Sequence, residues 1–340
     1  MKIRIAFVAI LALATATVVV GVASGKKPTG PGTSTGTGTV FLPNPVADLQ
    51  NESLTDQKDA DYPALQPAYH NVTLTDLDGS GTLNGRWAQV VSETGVPARS
   101  ATNTFTYHRN DDRFEQVMAY YWITEAQRYI QSLGFGTGLY PPVNMQSQRV
   151  RINQYGADNS FATDHPRDEL RFGKGGVDDA EDAEVILHEY GHAIHFSQNF
   201  SFASEEAGAI SEGFGDYWAA DVSNIVAPTP DPACVADWDS TSYTSTTPHC
   251  LRRVDTNLHY PGDLNGEVHH DGQIWSRALW DIRTALGHEE ADTIILNGQF
   301  DFPGTTMTAL ATSTVAVAQS LFGSSAASAV TLAFHNRGIL

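Results

Sequence analysis

Two histidines four residues apart, with a glutamate between them, form a pattern that metal chemistry uses. The segment VILHEYGHAIHF, Val185 to Phe196, contains one. In a helix, four residues advance the chain by about 400° and about 6 Å, so His188 and His192 can present their imidazoles to one ion. Glu189 stands beside the first of them, where a carboxylate can take a proton from a metal-bound water. His195 extends the stripe, but it lies about 10.5 Å along the axis from His188, too far to share that ion, and reads as structural. Gly191, which costs about 1 kcal/mol relative to Ala in a helix, reads as room for a closely packed neighbour.

A catalytic zinc takes three protein ligands and keeps a fourth position open. The layout HExxHxxGxxH would place glycine at 195 and histidine at 198, but the chain has His195 and Gln198, so that layout fails. Twenty residues after His192 comes Glu212, in GAISEGFGDYWAAD, as the candidate third ligand. Asp216 follows one turn later on the same face, where a carboxylate can hold the N–H of a zinc-bound imidazole. A solvated acidic face is the alternative. The Ala, Ile, Phe and Trp around the pair favour burial, where carboxylates need partners.

These residues resemble the thermolysin-like zinc metallopeptidases, and HEYGH followed by EGFGDYWA resembles the fungalysin type most. The resemblance implies zinc bound by His188, His192 and Glu212, Glu189 as general base, and Asp216 as the carboxylate behind a ligand. It extends to GADNSF, Gly156 to Phe161, similar to the family's edge strand, which implies Asn159 as a substrate-backbone ligand; a turn Asn is the local alternative. GEVHHDGQIW is similar to the segment whose histidine stabilises the oxyanion, implying His269 rather than His270, with a helix cap as the alternative. LRRVD is similar to the place of a substrate-carbonyl arginine, implying Arg252 ahead of Arg253. Glu184, one turn before His188, matches a calcium position of the family, and calcium is a further candidate cofactor. No residue matches the family's active-site tyrosine. Family precursors carry a long prosegment, where this chain shows only a short Gly/Thr/Pro stretch.

The elements that must position these groups are partly legible. HNVTLTDL and TLNGRWAQVV alternate as strands do, split by the turn DGSG. The series Asp76, Asp78, Ser80 imitates a calcium loop, but Trp87 stands where a bidentate Glu belongs, so a hairpin turn is expected. DDRFEQVMAYYWITEAQRYIQSLGF carries helix period, acidic start and glycine stop together. A strand is expected from Val150 to Tyr155. Helices are expected near Asp179 to Phe196, Glu205 to Asn224, His270 to Leu286, Thr306 to Leu321 and Ser325 to Phe334. Strands first and helices later predict an α+β protein. With the resemblance, this becomes two lobes, β-rich and mainly helical, with the zinc helix between them.

The N-terminus has Lys2 and Arg4 ahead of a long apolar run ending in small residues, a signal-peptide pattern; an uncleaved membrane anchor is the alternative. The expected division is a signal peptide at 1–24, a flexible Gly/Thr/Pro linker at 25–39, a β-rich lobe at 40–178 and the zinc helix with the helical lobe at 179–340. Export favours a bridge between Cys234 and Cys250, which on a chain-entropy model contributes about 3 kcal/mol. With 39 acidic against 20 basic side chains and a net charge of -19, nucleic acid and anionic lipid are excluded as expected partners. The expectation is a secreted endopeptidase with one zinc per chain, acting on proteins or peptides and without a stable membrane partner once the signal is removed. A secreted zinc-binding adhesion protein and an exopeptidase on the same scaffold are the alternatives.

Overall fold

The computed structural model describes residues 34–91 and 95–340. The expected signal peptide at 1–24 and the first part of the expected linker lie outside the described residues. The rest of that linker is corrected: Ser34–Val40, STGTGTV, is strand β1. Its β-branched threonines alternate with glycines that serve close approach rather than flexibility. A Cβ on Gly36 would run into the Asn103 carbonyl oxygen, and one on Gly38 would lie 2.6 Å from Val117 Cγ1.

The other strands are β2 (His70–Leu77), β3 (Ala88–Val90), β4 (Thr104–Phe105), β5 (Gln148–Arg151), β6 (Phe161–Thr163), β7 (Glu169–Arg171), β8 (Cys234–Val235) and β9 (Arg252–Arg253). β1 lies between antiparallel β2 and parallel β4. A second sheet has the order β3-β5-β7-β6, with β3, β5 and β7 parallel and β6 antiparallel at the edge. The strand expected to reach Tyr155 ends at Arg151, and Asn153 then turns into the left-handed region at φ 54. The DGSG stretch does turn the chain, with Ser80 N donating to Asp78 Oδ1 at 2.8 Å. The strands on either side of it, however, join different sheets and share only the bridge Leu77 to Gly85.

The helices are α1 (Pro45–Leu49), α2 (Arg113–Ser132), α3 (Ala183–Ser197), α4 (Glu205–Val226), α5 (Val268–Leu286), α6 (His288–Gly298), α7 (Met307–Phe322) and α8 (Ser324–Asn336). The short α1 and α6 were not expected. α6 follows α5 after Gly287 alone, whose φ of 81 breaks the chain direction and lets one residue stop one helix and start the next. α2 buries Phe114, Val117, Met118, Trp122 and Ile130 and bridges the strands to α3. α4 covers α3, and α5 covers α4. The architecture is α+β, and one apolar cluster runs without a break from Val40 to Ile339. Cys234 and Cys250 form a disulfide. Among the described residues no helix is long and apolar enough to cross a membrane.

Candidate metal centre

The site begins with two glycines. A Cβ on Gly191 would lie 3.0 Å from Gly215 Cα, and one on Gly215 would lie 2.8 Å from His188 Cε1 and Nδ1. Their absence of side chains lets α3 and α4 approach until Glu212 faces both histidines. Asp182 caps the start of α3 by accepting from Glu184 N at 2.9 Å, and Ser204 caps α4 by accepting from Ala207 N at 3.0 Å.

His188 Nε2 lies 3.2 Å from Glu212 Oε2, and His192 Nε2 lies 3.7 Å from Glu212 Oε1. The far nitrogen of each ring is held from behind. His188 Nδ1 is 2.9 Å from Asp216 Oδ1, and His192 Nδ1 is 2.8 Å from Ser211 Oγ. A carboxylate can only accept, so His188 Nδ1 carries the proton and its Nε2 is directed at Glu212. Tetrahedral zinc with bonds of about 2.1 Å separates its ligand atoms by about 3.4 Å, so this donor set fits the ion.

The electrostatics point the same way. Burial disfavours the charged ring of His188, but hydrogen bonds to Asp216 and Glu212 outweigh it and raise the group to about 10. A positive charge is therefore called for between Nε2 and Glu212, whether a proton or a metal ion. His192 is lowered to about 4, chiefly by burial, which keeps it neutral as a ligand must be. Burial opposes the ionisation of Glu212 and Asp216, yet the adjoining rings of His192 and His188, with the hydrogen bond from His188, hold Glu212 well below the usual carboxylate range. Arg252 and His188 bring Asp216 to about 2. Glu189 goes the other way, to about 8, because of burial and despite the neighbouring His188. Its Oε2 is buried and has no hydrogen-bond partner among the described residues.

His269 stands at the start of α5, with Nε2 3.3 Å from Glu212 Oε2 and Nδ1 2.6 Å from Glu267 Oε1. Glu267 also caps the helix, accepting from His269 N and His270 N. Arg252 is anchored on Asp216 by one edge of its guanidinium, which is compatible with the substrate-carbonyl role that the resemblance implies. Its Nε and Nη2 donate to the two oxygens of Asp216 at 2.6 and 2.7 Å, while Arg253 turns away to Asp231 and Asp255. The pairing of Arg252 with Val235 across β8 and β9 places it there, two residues beyond Cys250, where the disulfide closes its loop. Asn159 is exposed, two residues ahead of edge strand β6, which packs near α3. His195 is buried between Phe200 and Phe214, with ring centroids at 4.1 and 4.6 Å, and its Nδ1 shares Ser211 Oγ at 3.0 Å. Sequence reasoning missed Ser211 and Glu267. The cap two residues before His269 was a legible signal for Glu267, whereas nothing local marks Ser211.

A model of the fungalysin metallopeptidase family matches residues 72–309, more than half of the chain. The chain is also similar in structure to the precursor of protealysin, a metalloproteinase from Serratia proteamaculans. The TM-score is 0.56 at 19% identity, over 74% of this chain and 87% of that one. At that identity the likeness shows the fold, a thermolysin-like arrangement of two lobes. No curated protein matches the chain.

Proposed function

We propose, from the premise that this chain belongs to the fungalysin metallopeptidase family, that it is a secreted zinc endopeptidase with one zinc per chain held by His188, His192 and Glu212. The observation that carries this reading is the convergence of those three donors within 4.8 Å of one another beside the buried, unpartnered oxygen of Glu189. When bound there, zinc supplies Lewis-acid polarisation of the scissile carbonyl and makes a water acidic near neutral pH.

The chain's own residues do the rest. Glu189 takes the proton of the attacking water and passes it to the leaving amine; its burial suits a base that works near neutrality. Glu267 holds the ring of His269 through Nδ1, so that Nε2 faces the site and donates to the negative charge developing on the carbonyl oxygen. Asp216 fixes the orientation of His188, and Arg252 fixes Asp216. Asn159 and the edge of β6 hold the substrate backbone in extended form. Secretion rests on the basic and apolar N-terminus together with the disulfide.

The test is hydrolysis of casein and of internally quenched peptides by zinc-loaded protein. Internal cleavage that 1,10-phenanthroline stops and added zinc restores is the expected result. Zinc-loaded protein that cleaves nothing is instead a binding protein on this fold, and one that releases only terminal residues is an exopeptidase. Either outcome overturns the proposal.

A further inference from the structure

A second group of acidic side chains converges away from the candidate zinc ligands. Asp158 lies in the loop ahead of β6, Asp179 in the turn that leads into α3, and Asp239 inside the disulfide loop. Each offers an oxygen within 4.8 Å of the other two. Asp179 and Asp239 are only 2% and 5% exposed. Each uses one oxygen on a hydroxyl: Ser160 Oγ donates to Asp179 Oδ2, and the Tyr243 hydroxyl donates to Asp239 Oδ2 at 2.6 Å. The remaining Oδ1 of both is buried and receives no hydrogen bond among the described residues. The strongest neighbouring charges on the pair are themselves carboxylates, Asp158 acting on Asp179 and both acting on Asp239.

We propose that Asp158, Asp179 and Asp239 form a calcium site. Buried carboxylate oxygens without donors are costly unless a cation meets them. The donor set is all oxygen, which selects a hard ion, and Ca–O bonds of about 2.3–2.6 Å let one ion span oxygens up to about 4.8 Å apart. Magnesium, at about 2.0–2.1 Å with strict octahedral geometry, spans less and fits worse. Gly176 lets the backbone close over the group, because a Cβ there would run into Asp158 Oδ2.

Two other acidic groups are less suited to an ion, each for a different reason. Glu184, the expected calcium position, has both oxygens satisfied, by Ser223 Oγ at 2.8 Å and Ala236 N at 2.7 Å. The group of Asp112, Glu115 and Asp178 also buries unpartnered oxygens on Glu115 and Asp178, but it has Lys174 Nζ 4.0 Å from Asp112 as a positive charge of its own. An ion at Asp158, Asp179 and Asp239 would tie the loop carrying Asn159 to the entry of α3 and to the disulfide loop. This site is independent of the zinc reading, because it shares no residue with it.

The test uses zinc-loaded full-length protein carrying Glu189→Ala, so that self-digestion does not intervene. Ca2+ is titrated by calorimetry, and Tb3+ emission is excited through the aromatic band of Tyr243 and the adjacent Trp238. Terbium emission that Ca2+ displaces is expected. Adding Asp179→Asn and Asp239→Asn together should raise the Ca2+ Kd by roughly two orders of magnitude, as loss of ligand charge does in such sites. Asp158→Asn, at the less buried member, gives a milder variant and should raise it about tenfold. Zinc content, measured separately, should stay at one per chain in all of them. Failure of Ca2+ to bind, or binding that these substitutions leave unchanged, overturns the proposal. Loss of zinc with Ca2+ binding intact counts against the zinc ligands and not against this site.

Discussion

Gly215→Ala is a substitution on which two physical effects disagree about the sign. Helix propensity alone predicts a gain of about 1 kcal/mol, because glycine is replaced inside α4. The new Cβ would lie 2.8 Å from His188 Cε1 and Nδ1. Ordinary carbon contacts begin near about 3.5 Å, so ring or helix must give by about 0.7 Å. The ring cannot give freely: Asp216 holds Nδ1 at 2.9 Å and the metal position lies beyond Nε2. Overpacking of this kind costs about 1–3 kcal/mol, which outweighs the propensity gain and leaves a net loss of up to about 2 kcal/mol. Zinc tolerates shifts of only about 0.2 Å in its bond lengths, so affinity should fall by about 10–100-fold. Chelator competition for zinc and thermal unfolding of the apoprotein measure the two effects separately. Unchanged zinc affinity together with raised stability would refute the close approach of α3 and α4 as the device that builds the site.

Three further outcomes are expected. Arg252→Lys keeps the charge but loses the two-point contact with Asp216 at 2.6 and 2.7 Å, so zinc affinity should drop about tenfold in the same competition assay; wild-type affinity would remove Arg252 as a positioning residue. His195→Phe should keep one zinc per chain and change stability by less than about 1.5 kcal/mol, since phenyl fills the stack between Phe200 and Phe214; loss of zinc would make His195 more than structural. Burial raises the carboxyls of Asp178 and Asp237 to about 8 and Asp179 to about 7, against about 4 in the unfolded chain. The folded state therefore binds more protons between about pH 4 and pH 8, and calcium-free stability should fall as pH rises through that window. Urea unfolding at both ends of the window checks this, and greater stability at the upper end would contradict it.

What was legible in the sequence follows from how local the information is. His188, Glu189 and His192 sit within one turn and a half of a single helix, so spacing alone brought them together. Glu212 and Asp216 needed only the next helix and an apolar neighbourhood. Arg252 was found but its partner was not, because Asp216 meets it through the β8 and β9 pairing, which local pattern does not reveal. The glycines and threonines of β1 have linker composition, and only the packing of Asn103 and Val117 against Gly36 and Gly38 explains them as a strand. α6 was hidden because Gly287 alone separates it from α5. Asp158, Asp179 and Asp239 come from three distant segments that no period connects.

Glu189, with its buried and unpartnered carboxylate oxygen within electrostatic reach of His188 and Glu212, is the residue on which the proposed chemistry depends most directly. The decisive measurement is zinc content and casein hydrolysis in the same preparations of the unaltered protein and of Glu189→Ala. One zinc per chain in both and proteolysis only in the former are expected. Equal hydrolysis by both would contradict the proposed chemistry.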